Sequence, residues 1–229
     1  MAQRLGTALL VAMRRRETPS SVGAKESALL SPPRVRLFQF FCLHPLAVPT
    51  EAARATGMAA GTLRWHGAKL VEDRWLRLKG ATYFPSGLVD PQDLPLFGVV
   101  STCAARRTLA AVFAFGGQSV SDLSRTVGAS RQATTRFLDD FRFAGLVSVV
   151  EDGAFARAYP TPLLAGRREA NGRRAGAFCD EVLRRLVNTG LAPEVLRRTA
   201  SEFLLRAGPP GRRIALDLPI DPFSSALIE

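Results

Sequence analysis

Histidine, lysine and cysteine are all scarce in this chain of 229 residues, and each scarcity removes a class of chemistry. Two histidines and three cysteines, with no CxxC pair, leave no ligand set for a zinc site. Cys42, Cys103 and Cys179 are single and far apart, which argues against a disulfide framework and fits reduced thiols in a cytosolic protein. The hydrolase, zinc-protease and nucleotide-loop signatures GxSxG, HExxH, GxxxxGK[ST] and GxGxxG after a strand are missing. Paired acids such as Asp139-Asp140, Glu151-Asp152 and Asp180-Glu181 are sequence neighbours, so their carboxylates diverge. No catalytic residue, cofactor or metal is therefore expected, and the chain is not read as an enzyme. No apolar run approaches the roughly 18 residues that span a bilayer, so no membrane partner is expected either.

Arginine is what the chain has in quantity. It carries 31 basic and 20 acidic residues, a net charge of +11 and a pI near 11.0. Only Lys25, Lys69 and Lys79 are lysines, so nearly all the positive charge is guanidinium. That balance suggests a polyanionic partner, and the planar guanidinium fork suits phosphate and guanine. A bias toward arginine codons would give the same composition, so the placement of these residues has to carry the argument. An apolar fraction of 47% is that of a globular protein with real cores.

The most informative feature is a repeat. At an offset of 71 residues, Arg34 to Leu76 matches Ala105 to Val147 without a gap. Arg36 falls on Arg107, Arg54 on Arg125, Gly57 on Gly128, and Trp75-Leu76 on Leu146-Val147. Each copy reads as a helix, a short loop, a second helix, a glycine turn, a third helix and a β-hairpin. In the first copy Val35, Leu37, Phe38, Phe41 and Cys42 give helical periodicity, Thr50 is expected to cap a helix over 51–56, and Ala60 to Asp73 forms the third helix. In the second, Ser119 or Ser121 caps 122–127, Ser130 caps 131–144, and Gly145 stops that helix.

The expected organisation is mainly α with small β-wings: two tandem winged helix-turn-helix units plus C-terminal helices. Residues 1–33 read as a flexible basic arm. Its charge follows the apolar stretch 5–13, the reverse of a secretory signal. The first unit covers 34–90, a linker with one apolar strand or turn covers 91–103, and the second unit covers 104–162. A helical extension is expected over 163–207, with Phe178, Val182, Leu183 and Leu186 on one face of its first helix and Pro193 opening its second. A tail over 208–229 reads as irregular or as a docked strand.

The third helix of such a unit enters the major groove. In the second unit it offers Ser130, Arg131, Gln132, Thr135 and Arg136, a set able to hold a phosphate and read base edges. In the first it offers Thr62, Arg64 and Lys69, which suit backbone positioning better than readout. Arg77 and Lys79 in the first wing and Arg157 in the second are placed to reach the minor groove or flanking phosphates. Arg34, Arg36, Arg106 and Arg107 open the first helices and could also hold the backbone. Trp65 reads as a packing residue, and His66, at the position of Phe137, as a hydrogen-bonded core histidine.

Gly61-Thr-Leu-Arg-Trp-His66 with a hairpin ending Tyr83-Phe84-Pro85, and Ser130-Arg-Gln-Ala-Thr-Thr-Arg-Phe-Leu138 with Gly145-Leu-Val147, resemble the recognition helix and wing of ArsR-type and MarR-type regulators. They look most like archaeal proteins with two such units in tandem. The resemblance covers about 34–85 and 105–160, and it implies double-stranded DNA binding and transcriptional control as a dimer. Arg74 stands where the family has glycine after the recognition helix, and no metal-sensing cysteines correspond. The function expected is a DNA-binding transcriptional regulator, cytoplasmic and nucleoid-associated, with a homodimer contact through the C-terminal helices. Two other readings stand beside it: a sequence-tolerant architectural DNA protein, and an interaction subunit docking to transcription or replication machinery.

Overall fold

The structure is a computed structural model that describes residues 28–153, 155–209 and 213–227. The arm expected over residues 1–27 lies outside the described residues. After a 3-10 turn at Ala28–Leu30, the first unit comprises helices α1 (Pro32–Leu43), α2 (Pro49–Thr56) and α3 (Ala60–Glu72), then the hairpin β1 (Leu76–Lys79) and β2 (Thr82–Pro85). A 3-10 turn at Pro91–Asp93 and helix α4 (Leu94–Val99) connect it to the second unit, where a strand or turn was expected. There follow α5 (Cys103–Ala114), β3 (Gln118–Ser119), α6 (Val120–Val127), α7 (Arg131–Phe143), β4 (Val147–Asp152) and β5 (Phe155–Pro160). Helices α1, α2 and α3 begin and end at the offset of 71 from α5, α6 and α7, and β1 begins at that offset from β4. These are two winged helix-turn-helix units.

Local chemistry explains the shared boundaries. Gly57 and Gly128 end the second helix of each unit with φ of 68° and 67°, a left-handed turn that costs glycine little. The third helix ends in a second left-handed turn, at Gly145 (φ 73°) in one unit and at Arg74 (φ 59°) in the other. The first helix opens on Pro32-Pro33, two residues earlier than expected, because proline suits the first helical turn. Pro49 does the same for α2, so Thr50 lies inside the helix and makes no cap. Ser119 does cap α6: it accepts the Asp122 N–H at 3.2 Å and donates to the Asp122 carboxylate at 2.7 Å.

The C-terminal third corrects the expectation of helices. Helix α8 (Leu163–Asn188) is present, but 193–206 is not a second one. It contains β6 (Glu194–Arg198) and β7 (Glu202–Ala207), which with β8 (Ile214–Pro219) form an antiparallel meander in the order β6-β7-β8, followed by α9 (Pro222–Leu227). Phe203, Leu205 and Ala207 alternate inward, the two-residue period of a strand. Thr199 closes the β6–β7 turn by accepting the Glu202 N–H at 3.0 Å.

Two hydrophobic cores result. The first joins Phe38, Phe41, Leu63, Leu70 and Trp75 to Phe178, Val182 and Leu186 of α8 and to Phe203, Leu205, Leu216 and Leu218 of the meander. The second joins Phe97, Leu109, Leu123, Phe141 and Leu146 to Leu164 at the start of α8 and Phe223 of α9. Residues 163–207 are thus not an appended extension. They complete the core of the first unit, and the apolar face of α8 packs within the chain. At Arg74, Arg185 of α8 donates to the carbonyl at 3.0 Å and also to the Asp73 carbonyl, while stacking 3.6 Å over the Trp75 ring. Cys42 and Cys179 lie in the first core, where burial pushes both thiols up, Cys179 to about 11, while Cys103 is exposed.

Candidate nucleic-acid interface

Helix α7 carries the best-formed polar face. Ser130 adopts an extended conformation and accepts the Ala133 N–H at 3.1 Å, which leaves other first-turn N–H groups aimed at solvent. Thr134, Phe137, Leu138 and Phe141 face the core, so helical spacing turns Arg131, Gln132, Thr135, Arg136 and Asp139 outward together. Ser130, Gln132, Thr135, Arg136 and Asp139 line one shallow depression. Arg131 and Arg136 have no acidic partner among the described residues, which leaves their guanidinium donors open. Thr135 is less free, since its hydroxyl donates to the Arg131 carbonyl at 3.0 Å.

The face of α3 is plainer. Its N-cap, Ala59, makes no side-chain cap, as the run of small residues implied. Thr62 and Arg64 are exposed. Lys69 is instead bound to Glu72 at 2.7 Å, so part of its charge is already answered. Trp65 corrects the expectation of packing: it is 54% exposed, with the Arg34 guanidinium 5.3 Å above its ring. His66 is buried as expected, but its Nδ1 has no hydrogen-bond partner, and burial beside Arg34 lowers its pKa and keeps it neutral. Gly67 lets α3 close onto the wing, because a Cβ there would lie 2.7 Å from the Tyr83 ring.

The wings differ. Arg77 and Lys79 are exposed on β1, two residues apart and so on one side of the hairpin. Arg157 lies on β5, the central strand of the three-stranded sheet β3-β5-β4, which the repeat did not indicate. Its side chain donates to Asp152 at 2.5 Å and to the Gly117 carbonyl at 2.9 Å. It braces the second wing and offers little charge to a phosphate.

Arg106 moves furthest from expectation. It is buried and donates to Glu51 at 2.6 Å and to the Val100 carbonyl at 3.1 Å. Glu51 also accepts the Cys103 N–H at the start of α5. This cluster joins α2 of the first unit to α5 of the second. His44 lies beside it, its pKa lowered to about 4 by burial and by the Arg106 charge. Several arginines of the C-terminal doublets are likewise engaged within the protein: Arg167 with Asp93, Arg168 with Asp221, Arg174 with Asp90 and Arg198 with Asp180. Each acid comes from a distant segment or the opposite element, so nothing in the basic sequence alone marked these arginines as structural.

No protein-family model and no curated protein sequence matches the chain. Among solved structures, ScpB from Mycobacterium tuberculosis is similar at 19% identity and a TM-score of 0.25, covering 58% of this chain and 93% of that one. The mRNA-binding domain of elongation factor SelB from E. coli, solved with SECIS RNA, has 14% identity and a TM-score of 0.22 over 55% of this chain and 96% of its own. IdeR from T. acidophilum has 12% identity and a TM-score of 0.21 over 85% and 94%. The winged-helix assignment therefore rests on the order and packing of the elements themselves. No single helix among the described residues is long and apolar enough to cross a membrane.

Proposed function

We propose that the chain binds double-stranded DNA as a transcriptional regulator, with α7 as its sequence reader and the first unit as a positioning module. One observation carries this reading: the unengaged cations cluster on the two winged units. Arg64, Arg77, Lys79, Arg131 and Arg136 are exposed and have no acidic partner among the described residues, whereas most C-terminal arginines are held in ion pairs. Docking would be electrostatic, with release of counterions from the phosphates. Specificity would come from Arg131 on guanine and Gln132 on adenine. Dimerisation would use the apolar surface that the C-terminal elements leave exposed, Val187, Val195 and Leu196.

Retention of a randomised duplex pool at two salt concentrations, with sequencing of the bound fraction, tests this. An enriched motif is expected, weakened by about 1–3 kcal/mol for Arg131→Ala or Gln132→Ala but not for random duplex. Salt-sensitive retention without enrichment would mean a sequence-tolerant architectural protein, which the uncapped entrance to α3 favours. No retention at all would favour a protein-docking subunit. Phe143 at 96% exposure, with Phe155 and Val150 on the second wing, supports that second reading.

A further inference from the structure

A cavity of about 580 Å³ opens where α8 passes between the second unit and the C-terminal meander. Its apolar walls are Phe113 of α5, Leu164 and Ala175 of α8, and Ile220 beyond β8. That size lies within the range of small-molecule sites. Small residues hold it open. Gly172 lines it, and a Cβ built there would meet nothing within 4 Å, so the space reaches the helix backbone. Glycine inside a helix lowers its intrinsic propensity, and no close packing at this point offsets that loss.

Two polar features define what could enter. Asn171 lines the cavity, is only 5% exposed, and its Oδ1 has no hydrogen-bond partner. A buried acceptor without a donor is costly, and a ligand N–H or O–H would relieve that cost. At the rim Arg168 is held by Asp221 at 2.6 Å, which neutralises it, and Glu169 adds a further acid. The local balance is negative, so the rim disfavours carboxylates and phosphates.

We infer that this cavity binds a small, uncharged, largely apolar molecule that carries one hydrogen-bond donor, met by Asn171. None of its lining residues comes from α3 or α7, and apart from Phe113 the lining lies in the part of the chain that the repeat does not cover. Because its walls come from α5, α8 and the end of the meander, an occupant stabilises the junction of the second unit with the C-terminal elements.

The probe for the test is N-phenyl-1-naphthylamine, a neutral diarylamine with a single N–H, titrated into the full chain and followed by its fluorescence. Saturation at one probe per chain is expected, with a rise in unfolding temperature. Gly172→Leu fills the cavity and should weaken binding at least about tenfold while its own unfolding temperature holds or rises. Ala200→Phe, from the turn on the opposite side, should block the same space independently. Asn171→Leu keeps the walls and removes the acceptor, for a loss of about fivefold. The sulfonated analogue 8-anilinonaphthalene-1-sulfonate should bind more weakly than the neutral probe. Wild-type protein without saturable binding overturns the inference, as does unchanged binding in both cavity-filling variants. Unchanged affinity in Asn171→Leu removes the donor from the ligand description.

Discussion

Replacing Glu51 with alanine should cost about 3–4 kcal/mol of folding stability, far more than an ordinary ion pair. The carboxylate meets Arg106 at 2.6 Å, with side chains only 16% and 10% exposed, and also accepts the Cys103 N–H. Its removal leaves a buried guanidinium with the Val100 carbonyl as its remaining partner, and returns the exposed Cys103 N–H to solvent. Glu51→Gln keeps an acceptor for Cys103 but loses the charge, so a loss of about 2 kcal/mol is expected. The double variant Glu51→Leu/Arg106→Met removes both charges together and should return to within about 1 kcal/mol of wild type. Guanidinium denaturation of all four proteins gives the values. If Glu51→Ala costs less than about 1 kcal/mol, the pair behaves as a solvated surface contact and the buried joint between the units does not exist. If the double variant stays as weak as Glu51→Ala, shape and not orphaned charge sets the cost.

Gly67→Ala places a methyl 2.7 Å from the Tyr83 ring, and overpacking of this kind should destabilise by about 1–3 kcal/mol in the same assay, with a wild-type value refuting the contact. His44 titrates near 4 when folded and near 6.5 when unfolded, so its contribution is complete above pH 6.5 and is lost as pH falls toward 4. A loss of about 1 kcal/mol between pH 6.5 and 5 is expected after allowance for solvent screening. His44→Asn should flatten that slope, leaving the smaller part due to His66, whose pKa is lowered in the same direction. Iodoacetamide on the native protein should add one group, at Cys103, because Cys42 and Cys179 are buried with raised pKa values; three groups at native stability would contradict the first core.

The winged units were legible because their signals are local. A left-handed turn at Gly57 or Gly128, a cap at Ser119 or Ser130 and a helical stripe such as Phe137, Leu138 and Phe141 are each decided within a few residues. The exposed polar face of α7 followed directly, since inward residues dictate outward ones. The meander was not legible in the same way. Over 193–206 the apolar residues suit a helix as well as a strand, and pairing with Ile214–Pro219 tips the balance. Charges were the least legible of all. Arg131 and Arg157 look alike in sequence, yet one points to solvent and the other is answered by Asp152 and a backbone carbonyl. Arg106 likewise became structural only when Glu51 arrived from the neighbouring unit.

The shared core of α1 and the meander has a consequence for synthesis. Leu37 and Phe38 leave the ribosome well before the residues that cover them, Leu216 and Leu218 among others. At about 5–20 residues per second that interval is on the order of ten seconds or more. The second unit draws most of its core from 94–164 and can condense while translation continues. The winged unit that is earlier in sequence therefore closes after the later one, and its helices wait, with Phe38 and Phe41 uncovered, for β7 and β8. Such an interval is where a holding chaperone would act, and where a pause in elongation before β8 would lower the yield of folded protein most.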